Sequence, residues 1–211
     1  MSVQERFDPD CRYCQRLSSF LDEVATDYPD YHARPVAPFG DGKAKLLIVG
    51  LAPGMHGANA TGRPFTGDYA GILLYETLYK FGFSNQPEST ARNDGLKLKN
   101  CRITNAVKCL PPQNKPTGEE VKNCNAFLKY ELKHLPRGSV VLALGSIAHG
   151  AVLRAMELKL KDHPFKHNAA YALSEHLTLV DSYHCSRYNT QTKRLTTPMF
   201  HSVFKHIKKL L

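Results

Sequence analysis

An α/β fold with three layers, helices on both faces of a central, mostly parallel four-stranded sheet, is what this 211-residue sequence predicts. Two observations carry the prediction. Short continuous apolar runs recur along the chain, the pattern of strands buried on both faces. Stretches with helical apolar spacing separate them, and that alternation builds parallel sheets covered on both sides.

The first run is residues 45–50 (KLLIVG), the second 101–107 (CRITNAV), the third 139–144 (SVVLAL) and the fourth 177–180 (LTLV). Helical spacing covers 71–83, with Ile72, Leu73, Tyr75 and Leu78 on one face. Thr117 and Glu120 form a capping box ahead of Val121, Cys124, Leu128, Leu132 and Leu135. A third helix spans 146–158. Thr197-Pro198 opens a last one, with Phe200, Val203, Phe204 and Ile207 facing inward. The whole chain, 1–211, reads as a single domain, with residues 1–40 an irregular, proline-containing lead-in.

Composition narrows the class. The polar opening MSVQERFDPD is not a secretory leader, and no apolar stretch approaches the roughly 20 residues that span a bilayer. Six cysteines are too few for a disulfide scaffold in a chain this long. The expectation is a cytoplasmic monomer with reduced thiols and no membrane contact. A net charge of +9 calls for a polyanionic partner, because neutralising phosphates releases counterions.

Four of the cysteines form a pattern. Cys11 and Cys14 make a CxxC clamp, and Cys109 and Cys124 make a wider pair with fourteen residues between them. Four thiolates hold either zinc or an iron–sulfur cluster, and spacing alone leaves both open. Cys101 and Cys185 have no such partner and read as buried, inert thiols. His163 and His167 have i,i+4 spacing, but Pro164 argues against the regular helix that a metal site there would need.

In open α/β sheets ligands sit beyond the carboxyl ends of the strands. Here those loops are GLAPGMHG (50–57), KCLPPQNKP (108–116), GSIAHG (145–150) and SYHCSRYNT (182–190). The first lacks GK[ST] and fails GxGxxG, which excludes the usual nucleotide-phosphate loops. It leads to TGRPFTGDYAG (61–71), where Phe65 is either a stacking platform for a flat ring or a core residue. Asp68 there is either a working carboxylate or a plain N-cap.

Taken together, GLAPG, GRPFTGD, ITNAVKCLPPQNKP, ALG and SYHCSRYNTQT resemble the iron–sulfur uracil-DNA glycosylases, the B-type branch (family five) more than the A-type. The resemblance runs from Cys11 to the last helix. It implies a glycosylase fold, a [4Fe–4S] cluster on Cys11, Cys14, Cys109 and Cys124, and excision of damaged bases from DNA, double-stranded and also single-stranded. Such a reaction requires the nucleotide to be flipped into a pocket.

The resemblance also distributes roles. Gly50, Leu51, Ala52 and Gly54 would line the base, with Phe65 stacked on it. An amide both donates and accepts, as the uracil edge requires. Asn105 matches the A-type residue for this and Asn114 the B-type one, and both stay open. His184 would donate to the base as negative charge develops on it. Most of these enzymes carry a polar residue at the position of Ala52, which positions no water; in the B-type branch the aspartate matching Asp68 is the substitute. The same gap would admit hypoxanthine or xanthine. Arg187 would contact phosphate, and Asn189 or Gln191 would fill the space left by the flipped base. Two other functions fit fewer of these residues: an iron–sulfur redox protein, and a nucleic-acid-binding module without catalysis.

Overall fold

The computed structural model describes residues 6–211. In chain order its elements are α1 (Gln15–Asp27), β1 (Phe39–Gly40), β2 (Leu46–Gly50), α2 (Ala58–Thr61), α3 (Tyr69–Lys80), β3 (Cys101–Asn105), α4 (Gly118–Lys133), β4 (Ser139–Leu144), α5 (Ser146–Ala155), β5 (Ala170–Ser174), β6 (Leu177–Ser182), α6 (Arg187–Gln191) and α7 (Thr197–Leu210).

Six strands form the sheet, in the order β1-β3-β2-β4-β6-β5. The four expected strands are its centre and run parallel. The two additional strands, β1 and β5, pair antiparallel at the edges and correct the expected count. Neither carries a continuous apolar run: β1 has two residues, and β5 (AYALS) buries only Leu173.

Strand pleat sorts the core. Leu47 and Val49 of β2 face one way, toward α1, α4 and α5, while Leu46 and Ile48 face α3 and α7. Both faces are covered, which is why β2 and β4 are buried along their whole length. On α7, Phe200, Val203, Phe204 and Ile207 are fully buried, each stabilising the fold by about 1.5–3 kcal/mol. The capping box at Thr117 and Glu120 is present at the start of α4.

The irregular lead-in expected over 1–40 is also corrected. It contains α1, whose Leu17, Leu21 and Val24 bury one face at i, i+4, i+7. No helix of the described residues is long and apolar enough to cross a membrane.

Candidate active site

The loops at the carboxyl ends of β2, β3 and β6 surround a cleft of about 390 Å³. Leu51, Ala52, Gly54, Phe65, Asp68, Asn105, Asn114, His184 and Arg187 line it, joined by Tyr69, Ala70 and Ser186. Residues from four separate stretches of sequence therefore meet in one cavity.

Beyond β2, backbone pairing continues past the strand ends: Ala106 N–H donates to Gly50 O and Val107 N–H to Leu51 O, both at 2.9 Å. Gly50 lies beneath the cleft, and a side chain there would overlap the Asn105 amide and stand 2.6 Å from Phe65 Cζ. Glycine is required because those two groups press against the backbone. Gly54 plays the same part beside the Asp68 carboxylate.

Phe65 is 6% exposed and sits at φ 57°, a left-handed conformation that costs a non-glycine residue of order 1 kcal/mol or more. Its neighbours hold the bend. Buried Arg63 pairs with Asp94 at 2.6 Å and bonds Thr66 at 2.9 Å, and the Tyr75 hydroxyl donates to Pro64 O at 2.7 Å. Burial alone would raise the Asp94 carboxyl. Hydrogen bonds from Arg63, Leu96, Thr90 and Ala91 outweigh it and hold that group at about 2. Phe65 is thus both packed and presented to the cleft.

Asp68 occupies the N-cap position of α3 without capping it. Its carboxylate instead accepts the Ala58 N–H at 3.0 Å. Burial raises its pKa above the ordinary carboxylate value, opposed by that one hydrogen bond.

Asn105 ends β3 and is 3% exposed, with its Oδ1 buried and unpartnered in the described structure. That oxygen is an acceptor available to a donor placed in the cleft. Asn114 stands at the exposed rim, the second of two successive left-handed residues after Gln113.

His184 lies two residues beyond β6. Its ring faces that of Phe65, with centroids 6.0 Å apart and planes 28° from parallel. Burial draws its pKa down to about 4, so the imidazole is neutral at neutral pH. Arg187 opens α6, its guanidinium 5.7 Å from the centre of the Tyr69 ring.

Two expected DNA contacts lie elsewhere. Asn189 donates to His184 O at 2.8 Å and lines the neighbouring cavity. Gln191 ends α6, exposed, and lines neither. Sequence reasoning passed over Tyr69 and gave Ser186 and Tyr188 no individual role; the last is 70% exposed, next to Arg187. Their signal was adjacency to Asp68 and membership of the SYHCSRYNT loop. Lys108, the first residue of the KCLPPQNKP loop, is buried and paired with Glu131 at 3.0 Å.

The four patterned cysteines, Cys11, Cys14, Cys109 and Cys124, line one small cavity with Tyr13, Ser18, Asn123 and Phe127. Burial pushes the thiols of Cys14 and Cys109 up, and that of Cys124 to about 11. Among the described residues no three His, Cys, Asp or Glu side chains close on a single ion. Cys101 and Cys185 are fully buried. His163 and His167 bond separate groups: Lys159 O lies 3.2 Å from the first, and the Tyr183 N–H donates to the second at 3.1 Å.

A family model described as the uracil DNA glycosylase superfamily matches residues 37–208. A type-5 uracil-DNA glycosylase of Thermus thermophilus is 47% identical over 205 residues, covering 95% of this chain and 93% of that one. Another, of Pyrobaculum aerophilum, is 41% identical over 199 residues, covering 92% and 86%. A type-4 enzyme of Archaeoglobus fulgidus is 33% identical over 150 residues, covering 71% and 61%. The type-5 likeness thus extends over nearly the whole chain and the type-4 likeness over less of it. With matches of this extent, the chain belongs to the uracil-DNA glycosylase superfamily.

Proposed function

We propose that this protein is a monofunctional uracil-DNA glycosylase of base-excision repair, working in the cytoplasm as a single chain on damaged DNA. The observation that carries the reading is the meeting of the Phe65 ring, the unpartnered Asn105 amide, the neutral His184 imidazole and the Asp68 carboxylate around one cleft.

Each group has a step. The flipped base lies against Phe65, a stack worth roughly 1–3 kcal/mol. Asn105, rather than rim-exposed Asn114, reads the base edge, because its buried oxygen lacks a partner. As the bond from the sugar C1′ to the base nitrogen breaks, the electron pair leaves with the base. His184 donates its N–H to the base oxygen where that charge collects. Asp68 faces the cationic sugar and orients the water that adds to C1′, and the water's proton is lost to solvent. Ala52 contributes only space, which leaves room for hypoxanthine and xanthine. Arg187, exposed in the cleft lining, meets phosphate, and exposed Tyr188, not Asn189, occupies the gap in the stack.

Cys11, Cys14, Cys109 and Cys124 line one small cavity, and four thiols so gathered fit a [4Fe–4S] cluster, the group that the resemblance to the iron–sulfur glycosylases implies. When bound, the cluster supplies structural cross-linking. The protein's part is to bring α1, the loop after β3 and α4 to one place.

The test is single-turnover cleavage of duplexes holding uracil, hypoxanthine or xanthine, followed by alkali. Strand breaks that need alkali support the reading. Absence of any break with cluster-loaded protein returns the chain to a binding or redox role.

A further inference from the structure

His184 is placed by backbone that has left the sheet. Pairing to β4 ends at Ser182, with the Gly145 N–H donating to Ser182 O at 2.8 Å. On the other side it ends at Asp181, which exchanges bonds with Asn168 N–H (2.8 Å) and Ala169 O (3.0 Å). Beyond these points, among the described residues, no strand is left to partner residues 183 and 184.

Side chains take over there. The Tyr183 N–H donates to His167 Nδ1 at 3.1 Å, so that nitrogen carries no proton. The two rings stack, with centroids 4.9 Å apart and planes 18° from parallel. From the opposite side, the Asn189 amide donates to His184 O at 2.8 Å. The segment bearing His167 is itself anchored: His149, buried in α5, bonds His163 O through Nε2 and Asp181 Oδ1 through Nδ1, both at 2.8 Å. His167 lies where the β5–β6 ladder stops, so its ring continues the ladder by one bond.

We propose that His167 and Asn189 are positioning residues, which aim the His184 imidazole into the cleft by holding the backbone on both sides of it. This rests on the assignment of His184 to the leaving base. An imidazole carried on unsupported loop backbone could swing by the ångström or so that costs an enzyme up to about a hundredfold in rate.

The test uses the full-length protein with His167→Ala, Asn189→Ala and His167→Asn, the last keeping an acceptor where Nδ1 lies. Single-turnover excision from a uracil duplex should fall roughly 10- to 100-fold in both alanine variants. Affinity for a duplex with non-cleavable 2′-fluoro-deoxyuridine should stay within about twofold, and His167→Asn should recover most of the rate. In a His184→Ala background neither alanine change should cost more, because residues acting through one group are not additive. Nitrogen-15 spectra of the His184 ring provide a readout that needs no catalysis: its signals should move or broaden in both alanine variants and return in His167→Asn. Unchanged ring signals, or rate losses that persist undiminished without His184, would overturn the clasp. Unchanged rates in a protein that excises uracil would also end it while leaving the glycosylase reading intact. A wild type that excises nothing would end that reading, with the spectra still deciding the clasp.

Discussion

Asp68 stands at the N-cap of α3, yet its carboxylate bonds Ala58 N–H, at the start of α2, at 3.0 Å. A capping carboxylate would be committed to its own helix. This one is turned across the GLAPGMHG loop into the cleft, with one backbone donor and a burial that disfavours its charge.

Replacing it separates activity from stability. Asp68→Asn and Asp68→Ala should each lower single-turnover excision by roughly 10²–10⁴-fold while DNA affinity persists. The folded pKa is above the unfolded one, so the stability penalty of the charge is absent below the unfolded pKa. It is fully present above the folded pKa. Asp68→Asn, which still accepts from Ala58, should therefore melt at an equal or higher temperature than wild type at pH 7. A lower melting temperature with unchanged excision would remove Asp68 from the mechanism.

A second expectation concerns pH. His184, held at about 4 by burial, stays neutral across the range in which an ordinary histidine titrates. Excision should show no histidine step near pH 6.5, and the limb on which His184 takes up its proton should lie lower, near pH 4. A histidine-like step near 6.5 that vanished in His184→Ala would contradict the neutral donor.

Phe65→Ala removes the platform but leaves the left-handed bend in place. Loss of a stack worth roughly 1–3 kcal/mol predicts excision slower by about 5- to 150-fold. Wild-type kinetics with a lowered melting temperature would make Phe65 a core residue only.

For the cysteines, Cys11→Ser and Cys109→Ser should each abolish the broad visible absorbance of an iron–sulfur protein, reduce iron from about four atoms per chain and lower the melting temperature. Cys101→Ser and Cys185→Ser, at buried sites outside the four-cysteine cavity, should keep the colour. Stoichiometric zinc with no colour in anaerobically purified wild type would decide for the other metal.

At the rim, Tyr188→Ala should weaken binding to a uracil duplex and slow excision, more so for a uracil paired with guanine than in single-stranded DNA. In single strands there is no stacked gap to fill. Equal effects on both substrates would place Tyr188 outside the duplex.

Much of this could be read from residue order. Strands β2, β3, β4 and β6 announce themselves because a strand buried on both faces needs an unbroken apolar run. Edge strands need none, so β1 and β5 went unseen. Helix α1 was hidden by the polar, serine-containing stretch around its three buried apolar residues.

Residue order alone points to the parallel core, the covered faces and the loops at the carboxyl ends of the strands, since periodicity and loop position are local properties of the chain. It also brought Phe65, Asp68, His184 and the four cysteines forward through motifs in matching order. What each of them touches emerges only in three dimensions. The tertiary structure turned Asp68 away from its own helix and left the oxygen of Asn105 bare while Asn114 stayed at the rim. It also withdrew Lys108 into an ion pair and spent Asn189 on the backbone of His184. Those outcomes depend on which groups meet across the ends of different strands, and no single stretch of sequence contains both partners of such a meeting.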